Sequence, residues 1–356
     1  MTVSPYEGLD PRAFWRTGVA QAGRFPPAGL YRARFPIPRD LPILTAGSCF
    51  AQHVGRTLSK SGFNVIDTEP LPDRIAGRYA SVAHRFGYRL YSARYGNIYT
   101  VRQFLQLIRE AQGDFQPAKP IWERQGRFFD AMRPSVEPDG LDSPELVRRA
   151  RIQHLAAVRE ALSQAGLIVF TLGLTETWQH TESGTIYPTA PGTIAGQMDA
   201  DMFSFVNFRA AEIREDFIAL RDLVKAINPD MRFLLTVSPV PLTATASGQH
   251  VLPATIYSKS VLRTIAGELY QDFDDIDYFP SYEIIASHPA GADFFEDNLR
   301  SVTPRGVRRV MRAFLAAHGG ADPAAEDDDQ APAGQADPDA EDDLVCEEAL
   351  LEAFNR

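Results

Sequence analysis

The feature that most constrains the fold is the alternation of short apolar runs with amphipathic helical stretches. The runs LIVFTL at Leu167–Leu172 and FLLTV at residues 233–237 are apolar apart from one threonine each, and amphipathic stretches at residues 148–166 and 212–227 precede them. Strands buried on both faces of a parallel sheet have this continuous apolar pattern. The sequence therefore predicts a single α/β domain, with a parallel sheet covered by helices on both faces.

The same periodicities place the other elements. Residues 42–46 predict a first strand that ends at Gly47-Ser48, and the helix after it repeats Phe50, Val54 and Leu58 at helical spacing. Further helices are predicted at 101–111, 258–273 and 303–318, and a weak strand at 276–279.

The chain divides into three parts by composition. Residues 1–40 are predicted to be an extended lead-in on the domain surface, and residues 41–319 the domain itself, with a long insertion at 70–146 and a second loop-rich segment at 184–207. Residues 320–356 are rich in Ala, Pro, Asp and Glu, which is typical of a disordered acidic tail. The tail ends in a short amphipathic stretch, which is either a solvated end or a docking motif for a protein partner.

The negative charge is concentrated in that tail. Residues 321–356 contain thirteen Asp and Glu against one Arg, a net charge of −12, whereas residues 1–320 have 33 acidic and 35 basic side chains, a net charge of +2. No dense basic stripe is present to neutralise phosphates, so we expect no nucleic-acid partner. The N-terminal residues lack the layout of a signal peptide and no apolar run could span a bilayer, which predicts a cytoplasmic protein.

The sequence predicts neither a metal nor a cofactor. Cys49 and Cys346 lie 297 residues apart, and neither belongs to a CxxC or Cys/His pattern. The glycine patterns of dinucleotide and P-loop sites are absent, as is the HExxH pattern of zinc proteases.

Ser48 is the first candidate for chemistry. It stands where a strand passes into a helix, a turn at which a hydroxyl projects into the crevice that helix amides also face. The hydroxyl could serve as a nucleophile or simply cap the helix. Cys49 is a second possible nucleophile, but its position after the turn favours the core.

The segment Gly47-Ser48-Cys49-Phe50-Ala51 spells GSCFA, and the chain resembles the family named after it. The blocks ARYGNIYT, FTLGLTETW, TVSPVPLTAT, HVLPATIYSKS and DYFPSYEII extend this resemblance over residues 14–315. The family is similar to the SGNH, or GDSL-like, hydrolases. This resemblance implies a three-layer flavodoxin-like fold and a serine that acts on esters of lipids and carbohydrates.

The resemblance also implies roles for individual residues. Ser48 corresponds to the nucleophile and its own amide to one oxyanion donor, Gly96 to the glycine that supplies a second donor, and Asn97 lies beside it. Gly173 matches the glycine of the GxND block, in which Thr175 replaces the asparagine. The Thr175 hydroxyl is the expected third oxyanion donor.

The closing DxxH block of the SGNH pattern is altered, because Arg300 stands in the histidine position of Asp297-Asn298-Leu299-Arg300. Arginine is always protonated and cannot accept the serine proton. His250, in the loop predicted after residues 233–237, is the replacement base that we predict, with His288 in reserve; the alternative for His250 is a surface histidine of that loop with no catalytic role.

Four further residues receive supporting roles. Glu176, in a predicted loop, or Asp297 would orient the histidine; the alternatives for each are a solvated loop charge and an ion-pair partner for Arg300. Lys259 and Arg300 would bind an anionic part of the substrate, although Lys259 could act as a base or simply be exposed. His53, His84, His154, His180 and His318 receive no catalytic role.

The sequence thus predicts an SGNH-like serine esterase or O-acyltransferase that acts on an acyl ester of a carbohydrate or related metabolite. The alternative is a catalytically degenerate module that binds a glycan or a protein. If no imidazole lies within hydrogen-bond distance of the Ser48 hydroxyl, the alternative is favoured.

Overall fold

The computed structural model describes residues 4–23, 25–319 and 347–355. In chain order, its strands are β1 (Ile43–Gly47), β2 (Ile121–Arg124), β3 (Arg127–Asp130), β4 (Leu167–Leu172), β5 (Glu176–His180), β6 (Ile186–Tyr187), β7 (Phe203–Asn207), β8 (Arg232–Val237) and β9 (Ile276–Tyr278). Its α-helices are α1 (Phe50–Lys60), α2 (Asp73–Tyr79), α3 (Val101–Gln112), α4 (Pro144–Gln164), α5 (Ala210–Ile227), α6 (Val251–Asp272), α7 (Ser281–Ala286) and α8 (Pro304–Ala317).

The central sheet is parallel, with strand order β1-β4-β8-β9. Val65, which follows α1, adds a parallel bridge to Ile43 on the free edge of β1. Counting that bridge as the second position gives the order 2-1-3-4-5, which is the flavodoxin-like arrangement. In this arrangement the carboxyl ends of β1 and β4 lie side by side at the place where the chain order reverses, and ligands bind at such a place.

Helices cover both faces of this sheet, as predicted. Alternate strand residues point to opposite sides: Leu44 and Ile168 pack with α3, α4 and α5, whereas Ile43 and Leu167 pack with α1 and α8. Each of these four side chains is buried. The predicted mixed α/β fold with a parallel sheet is therefore confirmed.

Most predicted elements are present, but α6 begins earlier than expected. The prediction placed its start at Ser258, whereas the helix starts at Val251 and His250 is its N-cap residue. Pro253 lies in the first turn, where its missing N–H needs no partner, so it does not break the helix. His250 therefore does not lie within a loop but at the N-terminus of this helix.

The region after β4 is also more ordered than predicted. Glu176 begins β5, and residues 184–207, expected to be a loop, contribute β6 and β7. These strands form an antiparallel sheet in the order β6-β5-β7. The strand sequences ETWQH, IY and FSFVN contain no long apolar run, and most residues of β5 and β7 are only partly buried.

The insertion at 70–146 contains the predicted helix as α3 and also a hairpin that was not predicted. Strands β2 and β3 pair through Gln125 and Gly126, both with positive φ. Two such residues in a two-residue loop are typical of a tight β-hairpin turn.

The ends of the chain are described in part. Residues 26–40 contain no helix or strand. The side chains of Phe35 and Ile37 are buried in the part of the core that also contains residues of α1 and α8. Of the tail predicted to be disordered, residues 320–346 and 356 lie outside the described residues, while Glu347–Phe354 form a 3-10 helix. Among the helices of the described residues, none has both the length and the apolar character required to cross a bilayer.

Candidate active site at the carboxyl edge of the sheet

Gly47 makes the turn from β1 to α1 possible. Its φ of 143° lies in the region that favours glycine, and a Cβ there would meet the Thr171 carbonyl oxygen at 2.5 Å. The Gly47 carbonyl accepts a hydrogen bond from the Ile98 amide at 2.9 Å. Any side chain at position 47 would thus push apart the strand ends that hold Ser48.

The Ser48 hydroxyl is buried and unpaired. The residue is 3% exposed, and no group in the described part of the chain forms a hydrogen bond with Ser48 Oγ. The N-cap of α1 is Cys49, itself buried, so the alternative that Ser48 caps the helix is wrong. A buried hydroxyl without a partner costs free energy. Among the described residues, Thr45 Oγ1 and Thr171 Oγ1 are also buried and unpaired, but they lie within β1 and β4, whereas Ser48 stands at the turn from β1 into α1.

The Ser48 backbone is fully engaged. Its amide donates to the Thr171 carbonyl at 3.3 Å, which occupies the group expected to act as an oxyanion donor. Its carbonyl accepts hydrogen bonds from the Ala51 amide at 2.8 Å and from the Tyr91 hydroxyl at 3.0 Å. These contacts fix the serine backbone while leaving its hydroxyl unpaired.

The Gly96-Asn97 segment lies against the same turn. Asn97 is 1% exposed, and its Oδ1 accepts hydrogen bonds from Tyr91 and from Gln52 Nε2, the latter at 3.1 Å. Because Tyr91 contacts both Asn97 Oδ1 and the Ser48 carbonyl, it fixes the asparagine relative to the serine. The amide group of Asn97 is oriented with Nδ2 directed away from Gln52, as a donor.

A buried ionic network contacts the backbone of Arg94, two residues before Gly96. Glu69 accepts the Arg94 amide at 2.8 Å and pairs with His154 Nδ1 at 2.8 Å, while Arg133 Nη1 donates to the Arg94 carbonyl at 2.8 Å. Burial opposes ionisation of Glu69, but His154 and Arg133 lower its pKa to about 2. Burial, with the nearby Arg133 charge, lowers the pKa of His154 to about 3, which makes the imidazole a neutral structural partner.

Gly173 brings the end of β4 against the serine. A Cβ on Gly173 would meet the Tyr99 carbonyl oxygen at 2.9 Å and Ser48 Cβ at 3.0 Å. Thr175 lies close by, but its hydroxyl donates to Asn207 Oδ1 at 2.6 Å. The expected third oxyanion donor is therefore occupied in this structure.

Glu176 lines a cavity of about 210 Å³ beside this edge. Trp178, Phe205 and Leu242 supply much of its apolar wall. Glu176 Oε1 accepts a hydrogen bond from Thr245 at 2.8 Å, and burial raises the pKa of the carboxyl against the effect of this hydrogen bond. The carboxylate that was expected to orient a histidine is held by a threonine here. Ser48 is not among the described residues that line this cavity; Tyr99, which lines it, has its carbonyl oxygen next to Gly173, on which Ser48 Cβ also packs.

His250 does not contact Ser48. It is exposed, and its Nδ1 accepts the Leu252 amide at 3.1 Å as the cap of α6. A neutral imidazole that accepts at Nδ1 has its proton on Nε2 and no second acceptor. To act as a base, His250 must release this cap.

The remaining predicted residues are dispersed. Asp297 is exposed in a turn closed by a bridge between Phe295 and Val302, and the Arg300 amide donates to Asn298 Oδ1 at 2.9 Å in that turn. The ring of His288 stacks on Trp15, with centroids 5.3 Å apart. None of Asp297, Arg300 and His288 is among the described residues that line the cavity.

Lys259 is buried rather than exposed on its helix. It is 2% exposed, and its Nζ donates to the Gly173 carbonyl at 2.6 Å. The adjacent Ser258 Oγ accepts the Thr175 amide at 3.0 Å. The Ser-Lys pair thus attaches α6 to the carboxyl end of β4 and places a cation behind Gly173.

The C-terminal segment Glu347–Phe354 brings to this edge a carboxylate that was not predicted to lie here. Glu347 is 2% exposed, and its carboxylate accepts hydrogen bonds from Asn97 Nδ2, the Tyr99 hydroxyl and Ser135 Oγ, the Tyr99 contact being 2.7 Å. Leu351 of the same segment lines the cavity.

Sequence reasoning also missed Gln52, Tyr91 and Tyr99. Gln52 was open to inference, because it lies four residues after Ser48 and so one helical turn along α1. Tyr91 and Tyr99 gave no such signal. As for metals, the described residues contain no cluster of three or more His, Cys, Asp or Glu able to hold one.

Comparisons with known proteins place the chain in a family. No curated protein matches the sequence significantly. A carbohydrate esterase of family 3 from Talaromyces cellulolyticus is similar in structure at 11% identity, covering 77% of this chain and 94% of that chain, with a TM-score of 0.28. A mutant acetyl esterase with acetate ion is similar at 12% identity, covering 78% and 94%, with a TM-score of 0.27. The sequence matches the GSCFA family profile over residues 42–314, and the protein therefore belongs to the GSCFA family.

Proposed function

We propose that the protein cleaves or transfers an acyl ester of a carbohydrate or related metabolite, with Ser48 as the nucleophile. The observation that carries this proposal is the buried, unpaired Ser48 hydroxyl at the carboxyl edge of the parallel sheet. A hydroxyl kept without a partner, on a turn that only glycine allows, is more readily explained by chemistry than by folding.

In the proposed reaction Ser48 Oγ attacks the acyl carbon as a base takes its proton. The tetrahedral oxyanion collapses with loss of the alcohol, and water or a second hydroxyl then attacks the acyl-enzyme. The Gly96 amide and Asn97 Nδ2 are the proposed oxyanion donors. The Ser48 amide and the Thr175 hydroxyl are held by Thr171 and Asn207 of the sheets. The acceptor of Asn97 Nδ2, by contrast, is Glu347 of the C-terminal segment.

We retain His250 as the proposed base. Five residues before it, Thr245 contacts Glu176 at the cavity, so the segment that leads to His250 passes over the site. The ring is exposed, and its cap to the Leu252 amide would have to break before His250 could take the serine proton. Glu176, which lines this cavity, is the carboxylate that we propose to orient the ring.

The cavity suggests a small substrate. Its volume of about 210 Å³ is below the range of about 300–1,000 Å³ typical of drug-sized ligands. Trp178 and Phe205, whose rings pack edge to face, offer apolar surface beside the Glu176 carboxylate. A short acyl group or a single sugar ring fits this combination of wall and polar rim.

The test is labelling with a fluorophosphonate serine probe. We expect the full chain to be labelled at Ser48, Ser48→Ala to be unlabelled while folded, and His250→Ala to be labelled far more slowly. A labelled wild type would then be screened against acetylated sugars and p-nitrophenyl esters. Labelling of Ser48→Ala at the wild-type rate would refute the serine mechanism.

A second function, binding of a glycan without chemistry, is favoured by one observation. No imidazole of the described residues forms a hydrogen bond with the Ser48 hydroxyl. If this function is correct, the wild type resists the probe, and a glycan array identifies a ligand that Ser48→Ala binds equally well. A ligand that is turned over by wild type but only bound by Ser48→Ala would exclude it.

A further inference from the structure

The contacts of Glu347 define a subsite that its own chain fills. Three neutral donors converge on one carboxylate from two parts of the fold: Asn97 Nδ2 and Tyr99 OH from one segment, and Ser135 Oγ from the residues after β3. Convergent donors of this kind are the usual way in which a protein binds an anion. Two of them, Asn97 and Tyr99, are at least 97% buried.

This subsite adjoins the serine. Asn97 is linked to the Ser48 carbonyl through Tyr91, and the Tyr99 carbonyl oxygen lies on the same face of Gly173 as Ser48 Cβ. Glu347 Oε1 also lies 3.6 Å from the position that a Cβ on Gly96 would take. The carboxylate thus occupies the side of Ser48 on which the proposed oxyanion donors lie.

We propose that Asn97, Tyr99 and Ser135 form a carboxylate-binding subsite beside Ser48, and that Glu347 occupies it as a tethered competitor of the substrate. Docking of the segment stands on the contacts alone, whereas competition with substrate rests on the proposed function. Asn97 Nδ2, a hydrogen-bond donor of the proposed oxyanion hole, is unavailable to substrate while it donates to Glu347.

Apolar contact supports the same docking. Leu351 lines the cavity on the segment's inner side, whereas Leu350 is 47% exposed. One face of the segment therefore carries a carboxylate and an apolar group into the site, and the other faces solvent.

The experiment uses the full chain with point variants. In Glu347→Ala, hydrogen exchange of residues 347–355 should lose its protection, and the rate of fluorophosphonate labelling at Ser48 should rise by about tenfold or more, since hydrogen bonds to a charged group are removed. Glu352→Gln is the matched control, because Glu352 is exposed on the same segment, and it should change neither readout. Leu351→Ala, compared with Leu350→Ala, tests the apolar contact in the same way.

Addition of the segment as a free peptide completes the test. An acetylated peptide of residues 347–355 should slow labelling of the Glu347→Ala chain, whereas the same peptide with Gln in place of Glu347 should not. Slower labelling in Glu347→Ala without peptide would overturn the proposal, because Glu347 would then be a positioning residue for Asn97. Unchanged exchange protection in Glu347→Ala would also overturn it.

The two proposals fail separately. If Ser48 is never labelled but exchange still responds to Glu347→Ala and not to Glu352→Gln, the segment docks and the esterase proposal fails. If wild-type Ser48 is labelled but Glu347→Ala changes neither the labelling rate nor the exchange protection, only the subsite proposal fails.

Discussion

The two sides of the candidate site are built differently. On one side, Ser48, Asn97 and Gly173 are fixed by backbone contacts between the ends of β1 and β4 and the 96–99 segment. On the other side, His250 and Asp297 are exposed, on a helix terminus and a turn. A sheet edge can hold a nucleophile within narrow limits, whereas groups on exposed termini reach their partners only by moving.

The largest effect is expected on the side fixed by the strand ends, for Ser48→Ala. Loss of a nucleophile should lower the turnover by about a thousandfold or more. Because Ser48 Oγ has no hydrogen bond among the described residues, the melting temperature should stay the same or rise. Activity assays and calorimetry on the same preparation check both expectations.

Ser92→Ala is the matched control for this expectation. Ser92 is equally buried, but its Oγ accepts the Thr45 amide at 3.0 Å. Its loss leaves a buried N–H unpaired and should cost about 1–3 kcal/mol. A Ser48→Ala variant destabilised as much as Ser92→Ala would show that the Ser48 hydroxyl has a structural partner.

The next effect concerns the exposed side and separates two roles of His250. His250→Asn keeps a good N-cap and removes the base, whereas His250→Ala removes both. Both should slow turnover by about 10²–10⁴-fold if His250 is the base. Only His250→Ala should lose stability, by about 1 kcal/mol. Full activity in His250→Asn would show that the cap is the residue's whole role.

A smaller effect is expected on the free energy of unfolding when one glycine on each side is replaced by alanine. Gly47→Ala should cost about 2–5 kcal/mol, because the Cβ meets Thr171 at 2.5 Å and φ is 143°. Gly248→Ala, two residues before His250, also has a positive φ of 77° but no atom within 4 Å of the Cβ. It should cost about 1–2 kcal/mol. Equal losses in urea unfolding would contradict the view that the strand ends are the tighter side.

The smallest effect is a pH dependence at Glu176. Because burial raises its folded-state pKa above the ordinary value of 4.5, its contribution to stability is complete below that value and is lost as the pH rises through the folded-state pKa. Glu176→Gln should therefore gain more stability relative to wild type at pH 7 than at pH 4. Thermal unfolding at both values measures this, with Glu182→Gln on the following turn showing the effect of removing an exposed carboxylate. An equal difference at both pH values would contradict the shift.

The strand, turn and helix around Ser48 could be predicted from sequence, because their signals are local. The apolar run before Gly47, the Gly-Ser turn and the helical spacing after Phe50 all fall within a few residues, and the structure has a strand, a turn and a helix there. The run at Leu167–Leu172 placed Gly173 by the same argument. Signals of this kind need no knowledge of what packs against them.

Other parts of the site depended on contacts between distant residues. Glu176 lies in a strand because it pairs with Asn207, and nothing near Glu176 indicates that pairing. Glu347 contacts Asn97 across 250 residues. Lys259 was the intermediate case, since Leu262 and Ala266, buried on the same helix, mark the face on which it lies.

The position of Glu347 on the same chain as Asn97 also has a consequence in terms of mass action. An intramolecular contact depends on an effective concentration and not on the amount of protein in solution. Diluting the protein will not empty the subsite, so kinetics measured at nanomolar enzyme will still include the cost of displacing the segment. That cost appears as a lower apparent affinity for every substrate that needs Asn97, whatever its acyl group.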